Sequence, residues 1–137
     1  MRFLALAVLL GACVTPPTEM HVNILPGAYS AAMSSTPGMG LYPVAEPPKG
    51  ITPRYRYTAT EGYFVTWDET TREIEQHGAE FVTLAARVYW TYDPSVAVGR
   101  AGPVRIAVLT ENAKNGKTLA RTDINLAFDG ELFRVQK

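Results

Sequence analysis

Between Phe81 and Tyr92 the sequence alternates with a period of two. Val82, Leu84, Ala86, Val88, Trp90 and Tyr92 fall on one face, and Thr83, Arg87 and Thr91 share the other with Phe81, Ala85 and Tyr89. Successive side chains of an extended chain point to opposite faces, so six apolar residues at this spacing predict a long strand with one buried face. The second face is mixed and is expected to be partly covered. Asp93-Pro94 ends the run.

The same periodicity recurs on both sides. Upstream, Tyr55, Tyr57 and Ala59, then Tyr63, Val65 and Trp67, alternate with polar residues such as Arg54, Arg56 and Thr58. Downstream, Val104, Ile106 and Val108 share one face, and Ile124, Leu126 and Phe128 another. Asn115-Gly116 and Asp129-Gly130 supply turn residues between runs. With no long amphipathic helix in view, residues 54–137 predict an all-β domain. The simplest form is a small antiparallel sandwich or curled meander of about five to six strands. Residues 68–79 are open to two readings. Thr70-Thr71-Arg72-Glu73 has capping-box spacing and Gly78 can close a short helix, but only Ile74 is apolar; a polar hairpin arm turning at Asp68–Thr71 fits equally well.

Proline divides the chain. Eight of its ten prolines lie in residues 14–53, where the only charged side chains are Glu19, Glu46 and Lys49. Proline fixes φ and lacks an N–H, so this density disfavours long helices and internal strands. The segment 13–53 is therefore expected to be an extended tether; in a polyproline-like form forty residues reach up to ~120 Å. Its apolar residues (Val22, Ile24, Leu25, Met33, Met39, Leu41, Tyr42 and Val44) leave three readings open: packing back on the domain, docking on another protein as an extended peptide, or plain disorder.

Residues 1–12 are the third region. Arg2 precedes ten apolar or small residues and then Cys13, the only cysteine. A basic end followed by a 7–15-residue apolar core is the pattern of an export signal, and ten residues fall well short of the ~20 needed to span a bilayer as a helix. Leu10-Gly11-Ala12-Cys13 resembles the lipobox of bacterial lipoproteins. The resemblance covers the first 13 residues. It implies that Cys13 receives lipid, that cleavage follows Ala12, and that the mature chain is held on a membrane through Cys13. In that family an Asp after the cysteine favours inner-membrane retention; here the residue is Val14, which implies the outer membrane and a periplasm-facing protein.

Charge and residue inventory narrow the function classes. The 13 basic and 13 acidic side chains balance, without a basic stripe, so nucleic acid is not an expected partner. With Cys13 carrying lipid, no thiol remains for a disulfide or a thiolate metal site. His77 lies near Glu73, Glu75 and Glu80, but a metal site built for hydrolysis usually has three protein ligands, and the only other histidine, His21, is in the tether. No G-x-S-x-G, G-x-G-x-x-G or P-loop motif occurs, so no catalytic residues, metal or cofactor are expected and an enzyme is disfavoured.

The aromatic residues Tyr63, Trp67, Tyr89, Trp90 and Tyr92 are the candidate contact surface for a ligand or partner. Rings alternating with polar residues also suit a core, and both readings stand at this level. The expected function is that of a lipid-anchored structural or assembly component docking on a larger envelope complex of secretion, conjugation or pilus type. The alternative is a module that binds wall glycan or a small ligand through those rings.

Overall fold

The computed structural model describes residues 18–44 and 46–137; the leader, the lipobox and Cys13 lie outside the described residues. Among the described residues, twelve strands form two sheets. They are β1 (Thr18–Glu19), β2 (His21–Leu25), β3 (Ala28–Tyr29), β4 (Met39–Val44), β5 (Pro53–Ala59), β6 (Tyr63–Asp68), β7 (Glu73–Gln76), β8 (Glu80–Thr83), β9 (Val88–Thr91), β10 (Val104–Asn112), β11 (Thr118–Phe128) and β12 (Phe133–Gln136). One sheet runs β3-β12-β11-β10-β5-β8, with β1 added in parallel to β11; the other runs β2-β4-β9-β6-β7. Every other pairing is antiparallel.

The two sheets bury their facing sides against each other, which is the expected sandwich. Val104, Ile106 and Val108 on β10, and Ile124 and Leu126 on β11, meet Leu41, Phe64, Val88 and Trp90 from the opposite sheet. Tyr57 and Phe64 touch across the interior at 5.7 Å between ring centroids. Arg105, Arg121, Asp123 and Asn125 alternate outward, as the period of two requires.

The sandwich has more strands than its pattern suggested, and one reason lies in the run 81–92. It is not one strand. Glu80–Thr83 forms β8 at the edge of the first sheet, whereas Val88–Thr91 forms β9 in the middle of the second. Residues 84–87 carry the chain between sheets, with Leu84 68% exposed. The crossing also changes which parity faces inward. On β8 the ring of Phe81 packs on the core and Val82 points out beside Arg56; on β9 Val88 and Trp90 point in. The apolar residues at 82, 84 and 86 continued the pattern without continuing the strand.

The other reason is the proline-rich segment. Of the three readings open for it, packing back on the domain is what residues 18–44 do, in the form of β1 to β4. Val22 and Ile24 face the core from β2, while Leu25, Met33 and Val44 stay exposed. An internal strand carrying proline was not expected, yet β4 lies between β2 and β9 and contains Pro43. The register explains it. β9 pairs only with Met39, Gly40 and Leu41, so at Pro43 the strand has run past its neighbour and is locally an edge, where the missing N–H breaks no ladder bond.

Residues 68–79 adopt the hairpin reading. β6 and β7 pair from Val65↔Gln76 to Asp68↔Glu73, and the Asp68 carboxylate accepts the N–H groups of Thr70 and Thr71 inside the turn. Arg72 closes the turn at φ 64°.

Candidate functional site

The outer face of the five-stranded sheet carries a partly exposed aromatic cluster that combines two of the expected residues, Trp67 and Tyr89. Side chains on β6 and β9 alternate between core and surface: Phe64 and Trp90 turn inward as a pair, so Val65, Trp67 and Tyr89 turn outward. On the next strand Gly40 stands opposite Tyr89. Its missing side chain leaves room for the Tyr42 ring to fold back over the backbone; a Cβ there would lie 2.5 Å from Tyr42 Cε1.

Three rings thus meet edge to face. Trp67 and Tyr89 lie 5.9 Å apart at 69°, and Tyr42 and Tyr89 lie 6.4 Å apart at 80°. Tyr89 is nearly covered by its neighbours, while Trp67 and Tyr42 stay partly open. The Arg87 guanidinium sits 5.9 Å from the Tyr42 ring and 6.0 Å from the Tyr89 ring, and is held by Glu69 at 3.3 Å. Both partners of that ion pair are exposed, so it orients the guanidinium more than it stabilises the fold. Burial pushes the Tyr89 phenol up to about 12, helped by the Tyr42 hydroxyl at 3.4 Å, so the Tyr89 ring stays neutral at neutral pH.

Two hollows flank this cluster. One of about 840 Å³ is bounded by Trp67, Ile74 and Arg87 together with Asp68, Glu69, Glu73 and Glu75. The other, about 580 Å³, is bounded by Tyr42, Pro43, Ala85, Ala86 and the same Trp67 and Arg87. Trp67 and Arg87 border both. The arrangement can stack a planar or sugar ring on Trp67 and can meet either charge beside it.

The remaining expected residues lie elsewhere. Trp90 is fully buried and offers no contact surface: its Nε1–H donates to the Glu61 carbonyl at 2.9 Å, and its ring packs on Phe133 at 5.2 Å. Tyr92 packs against Phe133 at 4.9 Å, and its hydroxyl accepts the Ala31 N–H. Tyr63 is half-buried and pairs with Thr91. Tyr42 and Arg87 were missed. Tyr42 sits in the proline-rich segment, and Arg87 falls in the run read as a continuous strand. The Gly40-x-Tyr42 spacing was the available signal, since an aromatic two residues after a strand glycine can cover it.

His77 is engaged within the fold. Its ring stacks on Phe81 at 3.6 Å and 9°, and Nε2 lies 3.0 Å from the Thr66 hydroxyl. Among the described residues no group of three or more histidines, cysteines or carboxylates converges as a metal site, and no helix is long and apolar enough to cross a membrane. No family model matches the chain, and no curated protein or solved structure is similar to it.

Proposed function

We propose that the protein is a lipid-anchored, periplasm-facing component of an envelope assembly, held at the outer membrane through Cys13, with its β-sandwich docking on a protein partner. The role is contact rather than catalysis. The observation that carries this reading is the outward cluster of Tyr42, Trp67, Tyr89 and Arg87 on a sandwich whose large apolar side chains are otherwise mostly interior. Partly exposed aromatic rings with an arginine over them are the residue types enriched where proteins bury contact area.

A photoreactive amino acid placed at Ala86, beside the cluster, tests it in intact cells. Recovery of one defined protein, lost in a Trp67→Ala, Arg87→Ala background, is the expected outcome. Failure to recover any protein overturns the reading.

A second reading has its own support. Trp67 stands beside a hollow whose polar lining includes Glu69 and Thr70, a combination suited to stacking and hydrogen bonding a sugar ring. Retention of the purified protein on peptidoglycan, abolished by Trp67→Ala, is the result that would favour wall-glycan binding.

A further inference from the structure

We propose that the free edge of β7 is a strand-addition site for an extended segment of the partner in which basic and apolar residues alternate. The inference rests on the protein-docking reading above and names where and how that contact forms.

β7 is the last strand of its sheet, paired on one side with β6 and on the other with nothing among the described residues. Its outward hydrogen-bonding groups can be identified. The His77 N–H donates inward to the Phe64 carbonyl at 2.8 Å. Inward and outward groups alternate along an antiparallel strand, so Glu75 and Glu73 also bond toward β6. The N–H and C=O of Ile74 and Gln76 then face away from the sheet. All four residues of β7 are exposed.

Edge strands are commonly blunted by proline, lysine, bulges or a covering loop. β7 has no proline or lysine and pairs with β6 in unbroken register. What it has is negative charge. Asp68, Glu69, Glu73 and Glu75 stand against the single guanidinium of Arg72 over residues 68–76. A second copy of this strand would bring carboxylates beside carboxylates, which disfavours self-pairing. A strand carrying lysine or arginine is attracted instead.

The faces of β7 then specify the rest of the partner. Ile74, 58% exposed, lies across from Trp67 on the outer face, and Gln76 follows it; Glu73 and Glu75 lie on the other face. An added strand would present alternate residues to each. Apolar side chains would fall beside Ile74 and Trp67, and basic ones beside Glu73 and Glu75.

The test uses the mature full chain and two labelled octapeptides, one alternating Lys with Val and one alternating Glu with Val, followed by fluorescence anisotropy. Saturable binding of the Lys peptide, at least tenfold tighter than the Glu peptide, is expected. Ile74→Pro and Gln76→Pro each remove one outward N–H and should weaken binding at least tenfold while the melting temperature stays near that of the parent. The double variant Glu73→Lys, Glu75→Lys leaves the backbone intact and should reverse the preference between the two peptides; it decides the matter where a proline variant fails to fold. Lack of saturable binding, or binding that survives a folded proline variant, or an unchanged preference after charge reversal, overturns the inference. Crosslinking from Ala86 would still recover a partner in that event, so the two readings fail separately.

Discussion

Arg56 holds Glu111 from the neighbouring strand, with Nε 2.9 Å from Oε2, and Glu111 is only 5% exposed. Arg54 reaches the other carboxylate oxygen at 3.0 Å, so a nearly buried charge is clamped on the charged outer face of the larger sheet. Burial alone pushes the Glu111 carboxyl up, but the hydrogen bonds from Arg56 and Arg54 outweigh it and leave the group below the usual carboxylate range. A carboxyl with a lowered folded-state pKa adds stability that is complete above the unfolded value of about 4.3 and is lost as pH falls through the folded value. Asp129, brought down to about 2 by the Leu132 N–H, Arg134 and the Glu131 N–H, acts in the same direction. Thermal melts are therefore expected to be flat from neutral pH to about pH 5 and to fall below it. Arg56→Ala should cost about 1–3 kcal/mol at pH 7 by leaving Glu111 short of a partner.

Tyr57 presents the opposite case. Its hydroxyl is buried and has no hydrogen-bond partner among the described residues, and burial pushes its pKa up strongly. Replacing it with phenylalanine removes an unsatisfied polar atom from the core. Tyr57→Phe should gain about 1 kcal/mol in denaturant unfolding, and a loss of stability would show that the hydroxyl finds a partner in solution.

Gly62 and Trp90 form one mechanical unit. Gly62 has φ 78°, and a Cβ there would meet Trp90 Nε1 at 2.6 Å and the Thr91 carbonyl at 2.5 Å. Gly62→Ala combines backbone strain with displacement of the indole, and a loss of at least about 1–3 kcal/mol is expected in chemical unfolding. Trp90→Ala, which empties a fully buried site, should cost about 3–5 kcal/mol.

Trp67 should behave differently from Trp90. Because Trp67 is only partly buried on the outer face, Trp67→Ala should lower the melting temperature much less than Trp90→Ala while abolishing partner capture. Equal losses of stability would mean that the outer cluster is structural.

The proposed lipid anchor is open to a direct chemical test. Cys13→Ser should leave the precursor uncleaved and unlabelled by radioactive palmitate, whereas normal processing would refute the lipobox reading.

The sequence was most readable where a strand has one wet face. Val104, Ile106 and Val108 alternate with Arg105 and Ala107, and β10 follows the pattern directly. β9 is central and buried along its whole length, so the polarity of its flanks carried no information about where it began. The crossing at 84–87 preserved an apolar alternation by chance, hiding the change of sheet. Proline misled at Pro43 because its effect depends on a neighbour's length, which only the register reveals. Of the outer cluster, Trp67 and Tyr89 were legible as aromatic residues, but Tyr42 and Arg87 reach them from other segments, and no local pattern reports such a meeting.

Thr18 and Glu19 pair in parallel with Ala120 and Arg121, which fixes the polypeptide to the larger sheet five residues after Cys13. With the anchor at that cysteine, the leash between lipid and sandwich is at most ~18 Å even when fully taut. Residues 18–44, most of the forty-residue reach that the prolines suggested, are folded into the body of the domain as β1 to β4. Such a protein would ride low on its membrane, and whatever it grips would have to come down to the lipid surface to be held.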